Sequence, residues 1–209
     1  MRSFLVKGVS LLLLLGGLAG AQTPNSLTAK ESAEGWMLLF DGKSLNGWQA
    51  LPTSAPANNG DWKVENGAIV CPGTSPGWLG TTAASYSDYV LRLEFRGGEK
   101  VNSGVFLRSQ KEGQPHITGY ELQIWDYQPA GFNTGSLVNS LKASPTKVLP
   151  DQWNSYEITA KGDHFLVVLN GKTLLDASDS KHASGMVGFQ CQRDNHIEFR
   201  NIKILPAKK

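Results

Sequence analysis

Cysteine is scarce in this chain, with 2 in 209 residues. Neither Cys71 nor Cys191 has metal-ligand or redox spacing around it, so neither is assigned a chemical role. The four histidines, at 116, 164, 182 and 196, share no His-x-x-x-His spacing, and a zinc site is not indicated. The Gly-x-Ser-x-Gly elbow, the phosphate loop and the dinucleotide fingerprint are missing. Charge of one sign is lacking as well. Lys and Arg number 20 against 18 acidic residues, a net charge of +2, which argues for neither nucleic acid nor an anionic membrane surface as partner. No long stretch carries helical periodicity.

Only one long apolar run is present. Arg2 and Lys7 precede or flank it, Val9 to Leu15 forms it, and Ala19-Gly20-Ala21 follows. This is the plan of a secretory signal peptide over 1–21, with the mature chain starting at Gln22. The run is short for a spanning helix. The expected product is exported, periplasmic or secreted, without a membrane span. An irregular polar lead-in is expected over 22–33, then a single domain over 34–206. An exported chain can form a disulfide. Joining Cys71 to Cys191 would close a loop of about 120 residues and contribute roughly 4–5 kcal/mol in the chain-entropy account. Two separate buried thiols fit equally well.

Glycine is plentiful, at 23 residues, and short β-like runs are dense. Trp62 to Glu65 and Ala68 to Cys71 flank Asn66-Gly67, and Phe165 to Leu169 and Lys172 to Leu175 flank Asn170-Gly171. Asn-Gly between strands is a strong hairpin signal, because both turn positions need positive φ. Further strands are expected over 89–96, 104–108, 120–126, 155–160, 186–191 and 196–205. Residues 46–59 and 97–103 read as loops. Phe165 to Leu169 is apolar on both faces and is expected to be covered on both. The pattern predicts an all-β sandwich or barrel. The long interval 128–152, rich in Gly, Ser, Asn and Pro, is a candidate wall for a binding cleft.

Three strands carry polar groups that a purely structural strand would not need. In Gly119-Tyr120-Glu121-Leu122-Gln123-Ile124-Trp125-Asp126, alternation puts Glu121, Gln123 and Trp125 on one face. Tyr120, Leu122 and Ile124 take the other. A carboxylate, an amide and a flat aromatic in one row suit a sugar ring, and a hydrogen-bonded polar patch on an exposed strand fits the same alternation. A bulge after Trp125 would bring Asp126 onto that face. Along Asn102-Ser103-Gly104-Val105-Phe106-Leu107-Arg108, Phe106 and Arg108 point the same way. His196, Glu198 and Arg200 share a face in the third strand. An arginine inside a strand usually has a carboxylate partner, so Arg108–Glu121 and Glu198–Arg200 are also candidate structural ion pairs. Among the tryptophans, Trp36, Trp62 and Trp153 read as core. Trp48 and Trp78, in loop-like sequence, and Trp125 are the candidates for sugar stacking.

In order, these segments resemble the bacterial 3-keto-disaccharide hydrolase family. Trp36-Met-Leu-Leu-Phe-Asp-Gly-Lys-Ser-Leu-Asn-Gly-Trp48 is similar to its opening, Asn102 to Arg108 to its central strand, and Gly119 to Asp126 to its most distinctive motif. Thr134-Gly135, Trp153 to Ile158, Leu169-Asn-Gly171, Gly188-Phe-Gln190 and Glu198 to Ile204 follow in the family's order. The resemblance implies a two-sheet antiparallel jelly-roll sandwich similar to concanavalin-type lectins, acting on glycosides whose C3 hydroxyl has become a ketone. Two positions depart from the pattern. Val138 stands where members often carry Tyr, and Gln192 where they often carry His, with His196 four residues on.

A ketone at C3 acidifies the C2 hydrogen. Its removal gives an enolate that expels the C1 oxygen, and water then adds back. This chemistry needs a base, an enolate donor and an acid. With the resemblance, the expected roles are Glu121 as base, Arg108 and Gln123 at the carbonyl or enolate oxygen, and Asp126 or His196 at the leaving group. Asn102, Ser103, Trp48, Trp78, Trp125 and Arg200 are expected to contact the sugar. The sequence shows no required cofactor, although carboxylates and amides also suit a divalent cation. A two-carboxylate glycosidase acting on unmodified glucans, and a non-catalytic carbohydrate-binding or lectin-like module, are the alternatives.

Overall fold

The computed structural model describes residues 23–52, 59–82 and 85–207; the expected signal peptide lies outside the described residues. In chain order the elements are α1 (Ala29–Glu34), β1 (Met37–Leu38), β2 (Trp48–Leu51), β3 (Lys63–Glu65), β4 (Ala68–Cys71), β5 (Gly77–Thr81), β6 (Tyr89–Gly97) and β7 (Ser103–Ser109), then α2 (Pro115–Thr118), β8 (Tyr120–Ile124), β9 (Asn154–Lys161), β10 (His164–Leu169), β11 (Lys172–Ser178), β12 (Met186–Cys191) and β13 (Ile197–Pro206).

Two antiparallel sheets form a sandwich. The larger has the order β11-β10-β9-β6-β13-β4-β3, with β1 also on β13, and the smaller has the order β2-β5-β12-β7-β8. Period-two burial along β6 shows how the layers form. Tyr89, Leu91, Leu93 and Phe95 are buried, and the residues between them are half-buried. Both Asn-Gly pairs make the expected hairpin turns, with φ of 49° and 74° at Asn66-Gly67 and 50° and 79° at Asn170-Gly171. Between the sheets, Phe189 of β12 stacks on Phe199 of β13 at 4.0 Å, and Trp48 stacks on Phe189 at 5.2 Å. Cys71 of β4 is bonded to Cys191 of β12, so the one disulfide joins the two layers.

The structure revises several expectations. The lead-in is partly helical. Thr28 and Glu31 form a capping box at the start of α1, and Gly35, at φ 97°, closes it. The interval 46–59 contains β2, and β5 was not foreseen at all. Its sequence Gly-Trp-Leu-Gly-Thr lacks strand-like alternation because two of its positions are glycine, Gly77 lying against the Asn59–Gly60 backbone and Gly80 against the Trp78 ring. Leu166 and Val168 of β10 are only half-buried, so that strand is packed on one face rather than two. Trp153 is not core either. It lies on the outer face of the large sheet between Arg96 and Arg200, whose guanidiniums are 4.8 and 3.9 Å from its ring.

Candidate active site

The outer face of the small sheet is built in two transverse rows. In one, Leu51 of β2 opposes Trp78 of β5, and Trp78 opposes Gln190 of β12. Continuing the β12–β7 register sets Gln190 beside Gly104, which opposes Gln123 of β8. In the next row Gly80, Gly188, Phe106 and Glu121 follow one another. The opposite faces of the same strands, with Val105, Leu107, Leu122, Ile124 and Phe189, belong to the sandwich core.

Each row has a gap, and a side chain from the other row lies across it. A methyl group on Gly104 would come within 2.8 Å of Glu121 Cγ and 2.9 Å of its Oε1, so the carboxylate lies flat over that glycine. A methyl on Gly80 or on Gly188 would come within 2.7 Å of the Trp78 ring. Phe106 meets the Trp78 indole edge-on at 5.5 Å. Glu121 is 6% exposed. Burial pushes its carboxyl up to about 7, against a smaller downward effect of the hydrogen bond from the Gln190 side chain. Loss of hydration penalises the charged form more than one amide donor compensates.

The segment after β8 closes this edge. Gln123 N donates to Ser136 O at 2.9 Å, Gly135 N to Gln123 O at 3.0 Å and Val138 N to Glu121 O at 2.9 Å. Part of the long interval 128–152 thus walls the row, and Val138, one of the two departures from the family pattern, stands beside Glu121. Gln123 is buried, and its side-chain oxygen accepts from Ile124 N at 3.1 Å. Trp125, one residue beyond the strand, is half-buried, as is Asn102, whose N–H donates to Asn195 Oδ1 at 2.7 Å.

Other expected site residues do not join this face. Arg108 has φ 56°, and this left-handed kink turns its side chain away from the Phe106 side. Its guanidinium donates to Ser87 O at 2.6 and 2.9 Å, Gly162 O at 2.8 Å and His182 O at 3.0 Å, and sits 3.5 Å from Asp88. It is a clasp for three loops, not a partner of Glu121. Replacing it in Arg108→Met strips those carbonyls of their donor. An unfolding free energy lower by about 3 kcal/mol is expected in chemical denaturation, since each buried group left unpaired costs roughly 1–3 kcal/mol.

Asp126 stays off the face because β8 ends at Ile124 and Asp126 lies in the turn that follows. Its Oδ1 accepts from Thr134 Oγ1 and its Oδ2 from Val148 N at 3.0 Å, so it organises the long interval. Ser103 faces inward and donates to Gln190 O at 2.8 Å. Trp48 is core, with its N–H on Leu39 O at 2.7 Å. Trp78 is on the right face but fully buried, so it offers no open stacking platform.

His196 and Arg200 flank and occupy β13 in the other sheet. His196 lies 3.1 Å from Glu198, which Arg96 pairs at 2.7 Å. Arg200 pairs with Glu94 at 2.7 Å, beside a groove of about 610 Å³ also lined by Arg92, Glu157 and Lys203. Layers of a sandwich stand about 10 Å apart, so these groups cannot meet a sugar held at Glu121. The neighbouring strand that completes the site is β12, and Gln190 is the residue that sequence reasoning missed. An amide among Met186-Val-Gly-Phe-Gln-Cys191, spaced two from a glycine, was the available signal. Among the described residues no three His, Cys, Asp or Glu side chains gather as a metal site.

The protein is a two-layer antiparallel sandwich that carries a buried acid and amides on the outer face of one sheet. Residues 35–205 match the 3-keto-alpha-glucoside-1,2-lyase-like domain, and the chain belongs to that family. A 3-keto-disaccharide hydrolase of Bacteroides thetaiotaomicron is 24% identical over a 162-residue alignment that covers 64% of this chain and 55% of that protein. The chain thus spans about half the length of this curated relative. A crystal structure of a protein assigned as a glycosyl hydrolase, from Parabacteroides distasonis, superposes with a TM-score of 0.75 at 23% identity, over 89% of this chain and all of that one. Carbohydrate-binding module CBM66 from Bacillus subtilis gives 0.57 at 19% identity, over 75% of this chain and 94% of its own. The structural likenesses bear on fold alone. The family places this chain among glycosyl hydrolase-like proteins. No helix among the described residues is long and apolar enough to cross a membrane.

Proposed function

We propose that this protein cleaves glycosides bearing a ketone at C3, with Glu121 as the base that takes the C2 proton. The observation that carries the reading is the Glu121 carboxyl itself, laid over Gly104, nearly buried and raised to about 7. A base is most effective when its pKa lies near the working pH. The C2–H bond breaks and its proton goes to Glu121. The electron pair forms the enolate, and expulsion of the C1 oxygen follows. Asp126 and His196 lie elsewhere, so the proton returned to the leaving oxygen comes from Glu121 or from water. Addition of water across C1 and C2 completes a net hydrolysis. The engagement of Asp126 with Thr134 and Val148 also removes the second carboxylate that an ordinary glycosidase would need.

The test is incubation with a 3-keto-disaccharide in D2O. Release of 3-keto-glucose carrying deuterium at C2 is expected from the earliest time points, with no cleavage of the unoxidised parent. Equal rates on the parent, or product with its C2 hydrogen retained, would overturn the reading.

Gly104→Ala tests the floor beneath the base. The added methyl must displace Glu121 while leaving the core face of β7 untouched. A misplacement on the order of 1 Å can cost about 10²-fold. A fall of that size in kcat, with an unchanged circular dichroism spectrum, is the expected outcome.

A further inference from the structure

Glu121 does not stand over its own neighbour. Its partner across β7 is Phe106, yet its carboxyl lies over Gly104, which Gln123 opposes. The acid therefore leans diagonally off β8. Gln190 flanks the same glycine from β12. Gly188 opposes Phe106 and Phe189 opposes Val105, and one more step sets Gln190 against Gly104. Adjacent strands stand about 4.8 Å apart, and the leaning acid meets the Gln190 side chain there. The β12 end of this contact is fixed. Gln190 O accepts from Ser103 Oγ at 2.8 Å, and Trp78 of β5 opposes Gln190 on the far side. The side-chain oxygen of Gln190 is shielded from solvent and has no hydrogen-bond partner among the described residues. An amide that leaves a buried acceptor unpaired gives up folding free energy. Turning the amide over would set that oxygen against the carboxylate, so its orientation is decided by Glu121, through the amide nitrogen.

We infer that Gln190 is a positioning residue for the proposed cleavage, its side-chain amide donating to the Glu121 carboxylate and pinning it over Gly104 for removal of the C2 proton. The inference rests on the reading of Glu121 as the base and names what holds that base in place. A neutral donor suits the task. The groups adjoining the carboxyl are Gly104 and Phe106 of β7, Gln123 of β8, Gln190 of β12 and Val138 of the following segment, and none of them is charged. Arg108, the nearest cation in sequence along β7, is clasped to loop carbonyls instead. A cation in the place of Gln190 would steady the carboxylate too. It would also lower the pH at which the acid titrates by about one to three units, and a weaker base takes the C2 proton more slowly. An amide orients the acid without that loss.

The experiment follows the Glu121 carboxyl directly, by carbon NMR of protein labelled at its glutamate side chains, in wild type, Gln190→Met and Gln190→Lys. The same proteins are assayed for kcat and KM on a 3-keto-disaccharide. The wild-type midpoint is expected near 7. Gln190→Met leaves burial unopposed and is expected to raise the midpoint by about one pH unit, the worth of one hydrogen bond to a charged group. Gln190→Lys is expected to lower it by at least about one unit. Both variants are expected to lose about tenfold or more in kcat with KM within about threefold of wild type, because Gln190 meets the base and not the sugar. Loss of packing alone would not move the midpoint in opposite directions. Where a variant fails to fold, wild type still reports. The nitrogen resonance of the Gln190 amide is expected to shift as Glu121 titrates and to stay fixed in Glu121→Gln.

An unmoved midpoint in both variants, an amide resonance indifferent to the Glu121 titration, or full kcat in both variants would each overturn the positioning role. If the role fails in this way while wild type still releases deuterated 3-keto-glucose, the proposed function stands. If the midpoints part as expected but no glycoside is cleaved, Gln190 holds Glu121 and the proposed function fails.

Discussion

Glu121→Gln is expected to abolish release of 3-keto-glucose, lowering kcat by at least about 10²–10⁴-fold, the usual contribution of a positioned general base. The substitution removes proton affinity and preserves shape. Glutamine can occupy the space over Gly104 and still meet Gln190, so the fold and sugar binding are expected to survive. A variant that turns over at the wild-type rate would show that the base lies elsewhere. The pH dependence follows from the same group. A base works when deprotonated, so kcat/KM for wild type is expected to rise with pH through about 7. Stability should move the opposite way. A carboxyl raised from 4.5 to about 7 binds its proton more tightly in the native state, so native stability is lost as pH rises across that window. The shift corresponds to about 3 kcal/mol. Denaturation of wild type and variant at pH 5 and pH 8 is expected to show wild type falling behind Glu121→Gln by that order at the higher pH.

The second large effect lies between the layers. Cys71→Ala with Cys191→Ala is expected to lower the unfolding free energy by roughly 4–5 kcal/mol. The bond closes a separation of 120 residues and ties β4 of one sheet to β12 of the other. The cost in the chain-entropy account is freedom restored to the unfolded chain. Because β12 also carries Gln190, reduction should weaken sugar binding before the chain unfolds as a whole. Chemical denaturation of the double variant, and of wild type with and without reductant, checks this. A loss under about 1 kcal/mol would mean that the aromatic stack of Phe189 on Phe199 holds the sheets unaided.

Alternation and turn chemistry made much of the fold legible. The two Asn-Gly hairpins and the faces of β6 and β8 follow from local rules about φ and pleat. β5 escaped because glycines at 77 and 80 remove the side chains that mark alternation. Those absences are explained only in three dimensions, by the Asn59–Gly60 backbone against Gly77 and by the Trp78 ring against Gly80. Arg108 misled for a related reason. Period two holds until the backbone leaves the β region, and a left-handed residue inside a strand has no local marker when it is an arginine. Asp126, His196 and Arg200 were drawn to the site by their chemistry. Their real partners, Thr134, Glu198 and Glu94, are fixed by sheet pairing and loop return, which a period-two pattern does not encode. The Cys71–Cys191 bond was equally open in the sequence, since only the stacking of β4 over β12 brings the two together.

The three bare positions at 80, 104 and 188 carry a lesson for redesign of the ligand preference. Any substituent installed there strikes indole or carboxylate before it can touch a guest molecule, so the floor has no freedom to diversify. Change in what this face accepts is channelled to its edge, where Val138 and Trp125 stand.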